Sequence, residues 1–327
     1  MTVSREDLEA HLSRLRATTR DPRAGVFGPG SKMWEVSREA VVFLAGGRAA
    51  LLQTAHAYVA HGVDQHSRTK TDPYGRFFRT FDNVFSMIFG DLSHAERSAR
   101  RVHTIHQRIH GVIDEDVGGF KRGDRYHANH EPALLWVYAT LLDSAVLSFE
   151  LVIRPMGTRE KDAYYQEAKR FGYLFGIPDD VMPGDWPAFR AYVDGVMDSE
   201  LLGVGRPAAE LRRFLFRAPM APLAIPMSAY TAVTGQLLPP RLRAQYGFPD
   251  GAAARATLDL TLASLRRTVP RLPASVRYLP AYNQAIERVG DARQSPVGRA
   301  LGGAFDRLVR SSHRRARGQS RSSSGLA

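Results

Sequence analysis

The chain has 327 residues, a formal net charge of +12 at pH 7 and no cysteine. Its length is enough for one large domain or two ordinary ones, with a core that can enclose a cofactor. The absence of cysteine excludes disulfides, thiolate-bound zinc, iron–sulfur clusters and a cysteine nucleophile, so any metal must be bound by nitrogen or oxygen.

The longest apolar segment, residues 133–153, is nearly long enough to span a membrane. It carries Asp143 and Glu150, whereas spanning helices normally have few or no charges, so the segment predicts a buried core helix and no transmembrane segment. The first residues lack the apolar run of a secretory signal. We therefore expect a cytoplasmic protein.

Positive charge is densest near the end of the chain, in a serine- and arginine-rich run that begins at residue 311 and lacks apolar anchors. This composition is typical of a disordered, solvated terminus. The remaining arginines are dispersed, so we expect no specific nucleic-acid partner. The sequence predicts three parts: an N-terminal helix and linker (1–25), a helical domain (26–310) and a basic disordered tail (311–327).

Apolar residues recur at helical spacing in nearly every long segment, and strand-like alternation is scarce, so the predicted fold class is all-α. Five phenylalanines share one face of the segment 76–89, and the segment from Ser93 to Glu96 resembles a capping box. A proline-rich apolar segment, 218–240, predicts an irregular connector. The predicted helices cover residues 5–17, 36–63 with a break at Gly46-Gly47, 76–89, 93–112, 132–154, 158–175, 186–202, 207–217, 252–269 and 296–310.

Three histidines stand out in the predicted helix 93–112. The offsets between His103, His106 and His110 put all three on one helical face. Imidazole is the commonest side-chain metal ligand, so this stripe predicts the active region. Two chemistries fit the spacing: His106 as the single axial ligand of a haem iron, or two or three histidines with Glu131 around a non-haem metal.

An ordered series of sequence blocks between residues 26 and 155 resembles the MpaB-type oxygenase family, which includes the bacterial latex-clearing proteins. The blocks are Phe27-Gly-Pro-Gly-Ser-Lys-Met-Trp, Gly46-Gly-Arg-Ala-Ala-Leu-Leu-Gln, Gly62-Val-Asp-Gln-His-Ser, Asp72-Pro-Tyr-Gly-Arg-Phe-Phe-Arg-Thr, Val102-His-Thr-Ile-His-Gln-Arg-Ile-His-Gly and Trp136-Val-Tyr-Ala-Thr-Leu-Leu-Asp-Ser. The resemblance implies a single globin-like, multi-helix domain that encloses haem b (iron protoporphyrin IX).

The resemblance also implies that His106 is the proximal iron ligand. Relatives usually have arginine at the positions of His103 and His110, and many have histidine at the position of Tyr138. His103 and His110 are expected among the cofactor-binding residues, with hydrogen bonds to the propionates or to the backbone. Tyr138 and Phe77 are also expected at the cofactor pocket, where the Tyr138 phenol is either a hydrogen-bond donor to substrate or packed core.

On the distal side, Arg76-Phe-Phe-Arg-Thr80 resembles the Arg-x-x-Lys-Thr element of latex-clearing proteins. Arg79 replaces the lysine, and a guanidinium stays protonated, so we expect an open or water-bound sixth iron position. Arg76, Arg79 and Thr80 are the expected catalytic residues, with an arginine stabilising reduced oxygen or anchoring a propionate. No counterpart of the glutamate base of rubber cleavage is found.

The resemblance favours a haem-b-dependent oxygenase that binds dioxygen opposite His106 and acts on an apolar substrate of the isoprenoid or secondary-metabolite kind. The substrate is expected to enter a channel lined by Phe77, Phe81 and Met227, and an external electron donor is an expected partner. Alkene cleavage and haem-dependent oxidation or dehydrogenation are rival reactions. Three other functions stay open: a haem sensor or carrier without turnover, a non-haem metal enzyme using the histidine cluster, and a nucleic-acid binder.

Overall fold

The computed structural model describes the backbone of residues 1–66, 73–217, 224–290 and 293–323. The side chains of residues 67–78, 218–225, 291–292 and 312–327 lie outside this description. The described chain is a multi-helix bundle with a single two-stranded sheet, so the all-α prediction is confirmed. The division into an N-terminal segment, a domain and a basic tail stays a prediction.

Sixteen α-helices are described, joined by short loops and by 3-10 turns such as Ala40–Ala45. Their bounds are α1 Arg5–Thr18, α2 Lys32–Ser37, α3 Gly46–Thr54, α4 Ala57–His66, α5 Pro73–Phe89, α6 Leu92–His106, α7 Glu131–Val152, α8 Thr158–Tyr173, α9 Trp186–Asp198, α10 Arg206–Leu215, α11 Ala224–Gln236, α12 Pro240–Gln245, α13 Ala252–Thr268, α14 Ala274–Arg277, α15 Pro280–Val289 and α16 Pro296–Ser323. The antiparallel strands are β1 His110–Val112 and β2 Arg125–His127.

Helix α7 is the centre of the fold, because it is apolar on nearly every side and packs against α2, α3, α8, α9 and α13. Pro132 occupies its first turn, where the missing N–H breaks no helical hydrogen bond. Among the described helices α7 alone is long and apolar enough to cross a membrane, but 67% of its most apolar window is buried inside the protein. That burial is typical of a core helix.

Helices α5 and α6 form a hairpin at Gly90-Asp91. A Cβ at Gly90 would lie 2.3 Å from the carbonyl oxygen of Ser86, so the corner needs glycine. The Asp91 side chain accepts a hydrogen bond from the His94 backbone N–H and caps α6. The capping box predicted at Ser93 is therefore wrong by two residues, because the carboxylate of Asp91 reaches the first free N–H groups.

The histidine helix is shorter than predicted. Helix α6 ends at His106, and His110 lies in β1, where it pairs with His127 of β2. The three histidines therefore do not share a helical face. Ile105 and Val112, two apolar residues of the predicted helix 93–112, are 49% and 47% exposed. Pairing between distant segments outweighed the local helical periodicity.

The proline-rich segment 218–240 is not an irregular connector throughout, because α11 occupies Ala224–Gln236. Pro226 lies in the first turn of α11, a position that tolerates proline. The short helices α12, α14 and α15 are absent from the predicted set. Helices α12 and α15 begin with proline, and α14 follows Pro273 at its N-cap.

A buried ion pair joins α3 to α7. Arg48 Nη1 lies 2.7 Å from Asp143 Oδ2, and both side chains are 7% exposed. Arg48 also donates to Ser144 Oγ at 2.9 Å and to the Leu237 carbonyl at 2.8 Å. Asp143 therefore pairs with Arg48, and Arg190 is its second partner.

We expect Asp143→Asn to destabilise the protein by about 3–5 kcal/mol, because the buried guanidinium of Arg48 would lose its counter-charge. The matched control is Asp194→Asn, which removes the other carboxylate bound by Arg190; Asp194 is 57% exposed, and its loss should cost less than about 1 kcal/mol. Urea unfolding of both variants measures the difference. Equal midpoints would contradict a structural role for the buried pair.

Candidate functional site

A mostly apolar cavity of about 250 Å³ lies beside the central helix. Its described wall is formed by α2, α3, α4, α5, α7, α8, α10 and α11, with part of the 3-10 turn before α3. The volume lies just below the range of about 300–1,000 Å³ that is usual for small-molecule pockets. Polar side chains on the wall are few: Ser37, Gln53, Thr54, Thr80, Ser144, Tyr164 and Tyr230.

The wall from α3 depends on two glycines, Gly46 and Gly47. The Gly47 N–H donates to the Tyr230 hydroxyl at 2.8 Å, and that hydroxyl donates to the Phe43 carbonyl. A Cβ at Gly47 would lie 3.0 Å from both Tyr230 Oη and Phe216 Cζ. Glycine at this position therefore permits close packing of α11 and α10 on α3.

Helix α5 separates the cavity from α6. Thr80, Phe81, Val84, Phe85 and Ile88 of α5 line the cavity, and α5 also packs along α6, which contributes no described residue to the wall. The ring centroids of Phe81 and Phe85 lie 5.5 Å apart, which rigidifies this face.

The buried phenol of Tyr164 is the least satisfied polar group of the wall. The residue is 0% exposed, and its hydroxyl oxygen has no hydrogen-bond partner among the described residues. Burial raises the pKa of Tyr164 well above that of a free phenol, so the group stays protonated. It is a hydrogen-bond donor for which the described part of the chain supplies no acceptor.

The predicted histidine cluster is dispersed in the structure. His103 is buried and bonds the Val3 carbonyl through Nε2 at 3.2 Å, so its ring fastens the N-terminal segment. His110 is exposed, and its ring stacks on His127 with centroids 6.2 Å apart. His106 is half-buried at the C-terminal end of α6 and is not part of the described cavity wall.

The profile of the family described as the catalytic domain of the ER-bound oxygenase mpaB/B' and of rubber oxygenase matches residues 34–271, more than half of the chain. The chain belongs to the MpaB/rubber oxygenase family. It therefore shares the catalytic domain of a family of oxygenases.

Two mycobacterial relatives are similar to the chain. The uncharacterized protein Rv2237 of Mycobacterium tuberculosis and the uncharacterized protein Mb2261 of Mycobacterium bovis are each 30% identical over 170 residues. The match covers 50% of this chain and 62% of each relative. No solved structure shows significant similarity to the chain.

The segment that the resemblance predicts to be the distal motif, residues 76–80, lies on α5. Thr80 reaches the cavity wall, and Arg79 is half-buried one residue before it. The side chains of Arg76 and Phe77 lie outside the described residues. The structure thus brings one of the three expected catalytic residues to the cavity.

Two other residues expected from the MpaB resemblance do not line the cavity. Tyr138 is 1% exposed in the core, its hydroxyl has no hydrogen-bond partner among the described residues, and burial raises its pKa strongly. Met227 is half-buried on α11 but does not contribute to the wall. Of the expected channel residues with described side chains, Phe81 alone lines the cavity.

A second polar cluster, not predicted from the sequence, is formed by His61, Asp114 and Glu115, whose potential ligand atoms lie within 4.8 Å of one another. Asp114 Oδ2 is already 2.6 Å from the Arg206 guanidinium. Glu115 accepts the Arg206 backbone N–H at 3.0 Å and so caps α10. These contacts hold α4, α10 and the loop after β1 together.

The sequence also did not predict that Tyr164 lines the cavity. Its sequence signal is weak but real, because Tyr164, Ala168 and Phe171 lie at helical spacing on one face of α8 and all are buried. This spacing indicates a core face. It does not distinguish a packed phenol from one that borders a cavity.

His56 is a buried titratable group at the start of α4. It is 2% exposed, its Nδ1 accepts the Tyr58 N–H at 3.2 Å, and its ring contacts Phe120 with centroids 5.0 Å apart. Burial, with a smaller contribution from His130, lowers its pKa from 6.5 to about 4.

The folded protein should therefore lose stability as the pH falls from 6.5 to 4, because the unfolded chain binds a proton at His56 in this range and the folded chain does not. The loss from this group is about 2–3 kcal/mol. His56→Asn keeps a hydrogen-bond acceptor for Tyr58 and cannot titrate, so its urea midpoint should fall less steeply over the same range. Parallel curves for wild type and variant would contradict a neutral buried His56.

Proposed function

We propose that the protein is a haem-b-dependent oxygenase that binds a small apolar substrate in the cavity beside α7. Membership of the MpaB/rubber oxygenase family supports the oxygenase reaction. The observation that carries the proposal is the position of α5: it borders the apolar cavity through Thr80, carries the Arg-x-x-Arg-Thr motif, and packs on the helix that ends at His106. These contacts support a role for the motif between the proposed substrate cavity and the proposed haem site.

The donor chemistry of the described chain is compatible with haem. No cysteine is present, and the proximal side of a haem needs one imidazole. His103 is engaged by the Val3 carbonyl and His110 is exposed in β1, whereas His106 is half-buried at the end of α6. The cavity is small, and its described wall holds no imidazole, so haem belongs beside His106 and the cavity is for substrate.

When bound, haem supplies the redox chemistry that lets dioxygen react with an organic molecule. The chain's own residues bind and orient the substrate: the aromatic face of α5 and the glycines of α3 shape an apolar space that excludes water. Thr80 offers a hydroxyl at the edge of that space. The guanidinium of Arg79 provides a positive charge on the same helix.

Substrate, reductant and location belong to the same proposal. The apolar wall favours an isoprenoid-like or secondary-metabolite substrate, and an external electron donor is the expected partner. We place the protein in the cytoplasm, with no specific nucleic-acid partner. Whether the reaction cleaves an alkene or oxidises another bond depends on the substrate.

The absorption spectrum tests whether the protein binds haem and whether His106 is the iron ligand. We expect a Soret band in the purified protein and its loss in His106→Ala, because the axial imidazole is removed. His94→Ala is the matched control, since His94 lies on the same helix, is exposed, and bonds the N-cap residue Asp91; it should keep the band.

An unchanged band in His106→Ala would contradict ligation by His106. A colourless protein with stoichiometric zinc or iron would instead indicate a non-haem metal enzyme. Reversible ligand binding with no oxygen consumption, whatever the reductant and apolar substrate, would indicate a sensor or carrier.

Measurements of oxygen uptake test whether the substrate binds in the cavity. Ala50 lines it, so Ala50→Phe should lower substrate-dependent oxygen consumption at least tenfold by filling the binding space, while the haem spectrum stays unchanged. The control Ala253→Phe makes the same substitution at an exposed position of α13 and should retain full activity. Equal activity in the two variants would show that substrate binds elsewhere.

A further inference from the structure

We propose that the C-terminal region of the protein docks on the surface of an anionic phospholipid membrane, where an exposed apolar patch of α14 and α16 enters the layer of lipid headgroups. A peripheral contact of this kind needs no transmembrane helix. The inference is independent of the proposed function, because it concerns the outer surface of the protein and involves neither the cavity nor the haem.

The first argument is the amount of apolar side chain that this region leaves in water. Single exposed hydrophobic residues are normal, whereas a group of them with a polar rim marks an interaction site. Five of the nine exposed large hydrophobic residues in the described part of the chain lie between residues 272 and 308. Each is 40–52% exposed, and together they form the C-terminal apolar patch: Leu272, Val276, Val297, Leu301 and Leu308.

On α16, the exposed and the packed apolar residues occupy two different faces. At 3.6 residues per turn, Val297, Leu301 and Leu308 fall within about 40° of one another around the helix. The face that packs on α5 carries the buried Val309 and the half-buried Phe305. Packing against α5 therefore does not account for the exposed stripe.

The patch continues from α16 onto α14. A Cβ at Gly298 would lie 3.6 Å from the Cβ of Ser275, so the two helices touch where α16 begins. Val297 and Val276 are the sequence neighbours of these two residues, and both are exposed. Leu272 lies just before α14. Two adjacent elements therefore contribute to the patch.

The second argument is the charge around the patch. From residue 293 to residue 327 the chain has eight arginines and a single acidic side chain, Asp306. Asp306 is directed to α15, because its Oδ2 accepts a hydrogen bond from Gln284 at 3.5 Å. Arg271 and Arg307 are exposed, and each directly precedes a leucine of the patch. Such arginines attract the negative headgroups of anionic lipids.

The combination of apolar stripe and arginines favours a membrane over two other occupants. A second copy of the chain would bring two arginine-rich rims together, and like charges destabilise such an interface. Nucleic acid would bind the arginines and leave the valines and leucines in water, because its outer surface is phosphate. An anionic bilayer accepts both groups: apolar side chains enter the boundary of the acyl chains, and arginines contact the headgroups.

A fluorescent label tests where the protein meets the lipid. The chain has no cysteine, so Leu301→Cys creates a single site for a nitrobenzoxadiazole dye. We expect its emission to rise at least about twofold and to shift to shorter wavelength with vesicles of phosphatidylcholine and about one third phosphatidylglycerol, because the dye leaves water. Leu260→Cys is the matched control: Leu260 is 73% exposed on α13, and its label should not respond.

Vesicle cosedimentation measures the strength of binding. Val297→Gln combined with Leu301→Gln should weaken partitioning at least about fivefold, because two apolar side chains no longer leave water. Glutamine is a good helix former, so α16 should persist. The control makes the same exchanges at Val112 and Leu260, which are similarly or more exposed elsewhere, and should stay within about twofold of the wild type.

The charge is tested in the same assay. Arg271→Gln combined with Arg307→Gln should weaken binding to the anionic vesicles about tenfold, and high salt should have a similar effect on the wild type. Vesicles of phosphatidylcholine alone should bind much less protein. Equal binding to neutral and anionic vesicles would contradict the role of the arginines and overturn the inference.

Three other results would overturn it: wild-type protein that stays in solution with anionic vesicles at low salt, equal binding of the patch variant and its control, or equal responses of the two labels. Dimerisation or RNA binding that depends on the patch, without vesicle binding, would assign the surface to that partner instead. The haem spectrum and oxygen uptake in solution should be unchanged in the patch variants. Failure of the membrane proposal would therefore leave the proposed function intact.

Discussion

The buried pair of Arg48 and Asp143 is the interaction on which the arrangement of the cavity depends. The Arg48 guanidinium, on α3, binds the Asp143 carboxylate and the Ser144 hydroxyl on α7. It also binds the backbone carbonyl at the end of α11, so this one side chain links three helices of the cavity wall. A charge pair in this position must be fully bonded, because each ion has lost its hydration. Because the buried ion pair must form these bonds, it fixes the register of α3 against α7. That register in turn brings Gly47 to the site where Tyr230 and Phe216 approach the backbone.

Much of the helical framework could be predicted from the sequence. The long helices with strong periodicity and recognisable starts, such as α1, α7 and α13, match their predicted bounds within one or two residues. The errors occur where distant contacts decide the outcome. The residues after His106 have helical spacing, yet β1 pairs with β2 and ends the helix. At the start of α6, a single carboxylate at Asp91 outcompetes the expected serine.

The candidate site was predicted only in part, for a related reason. Sequence motifs identified α5 and α6 as the functional region, and Thr80 and Phe81 do border the cavity. The spacing of a motif shows only which residues are close along the chain. Most of the cavity wall comes from segments that are distant in sequence from α5 and α6, including α8, α10 and α11. Tyr138 and Tyr164 illustrate the limit: both are buried tyrosines in predicted helices, and only the packing of α7 on α8 decides which one meets the cavity.

The C-terminal helices have a consequence for the boundaries of the catalytic unit. The family profile ends at residue 271, but α15 and α16 pack on α5, the helix that walls the cavity. Tyr282 contacts both Trp34 and Phe89, and the Phe305 ring lies 6.4 Å from that of Phe85. These C-terminal residues therefore support α5 by packing against it. Evolutionary change outside the region matched by the family profile can therefore reshape the cavity without altering any residue that lines it.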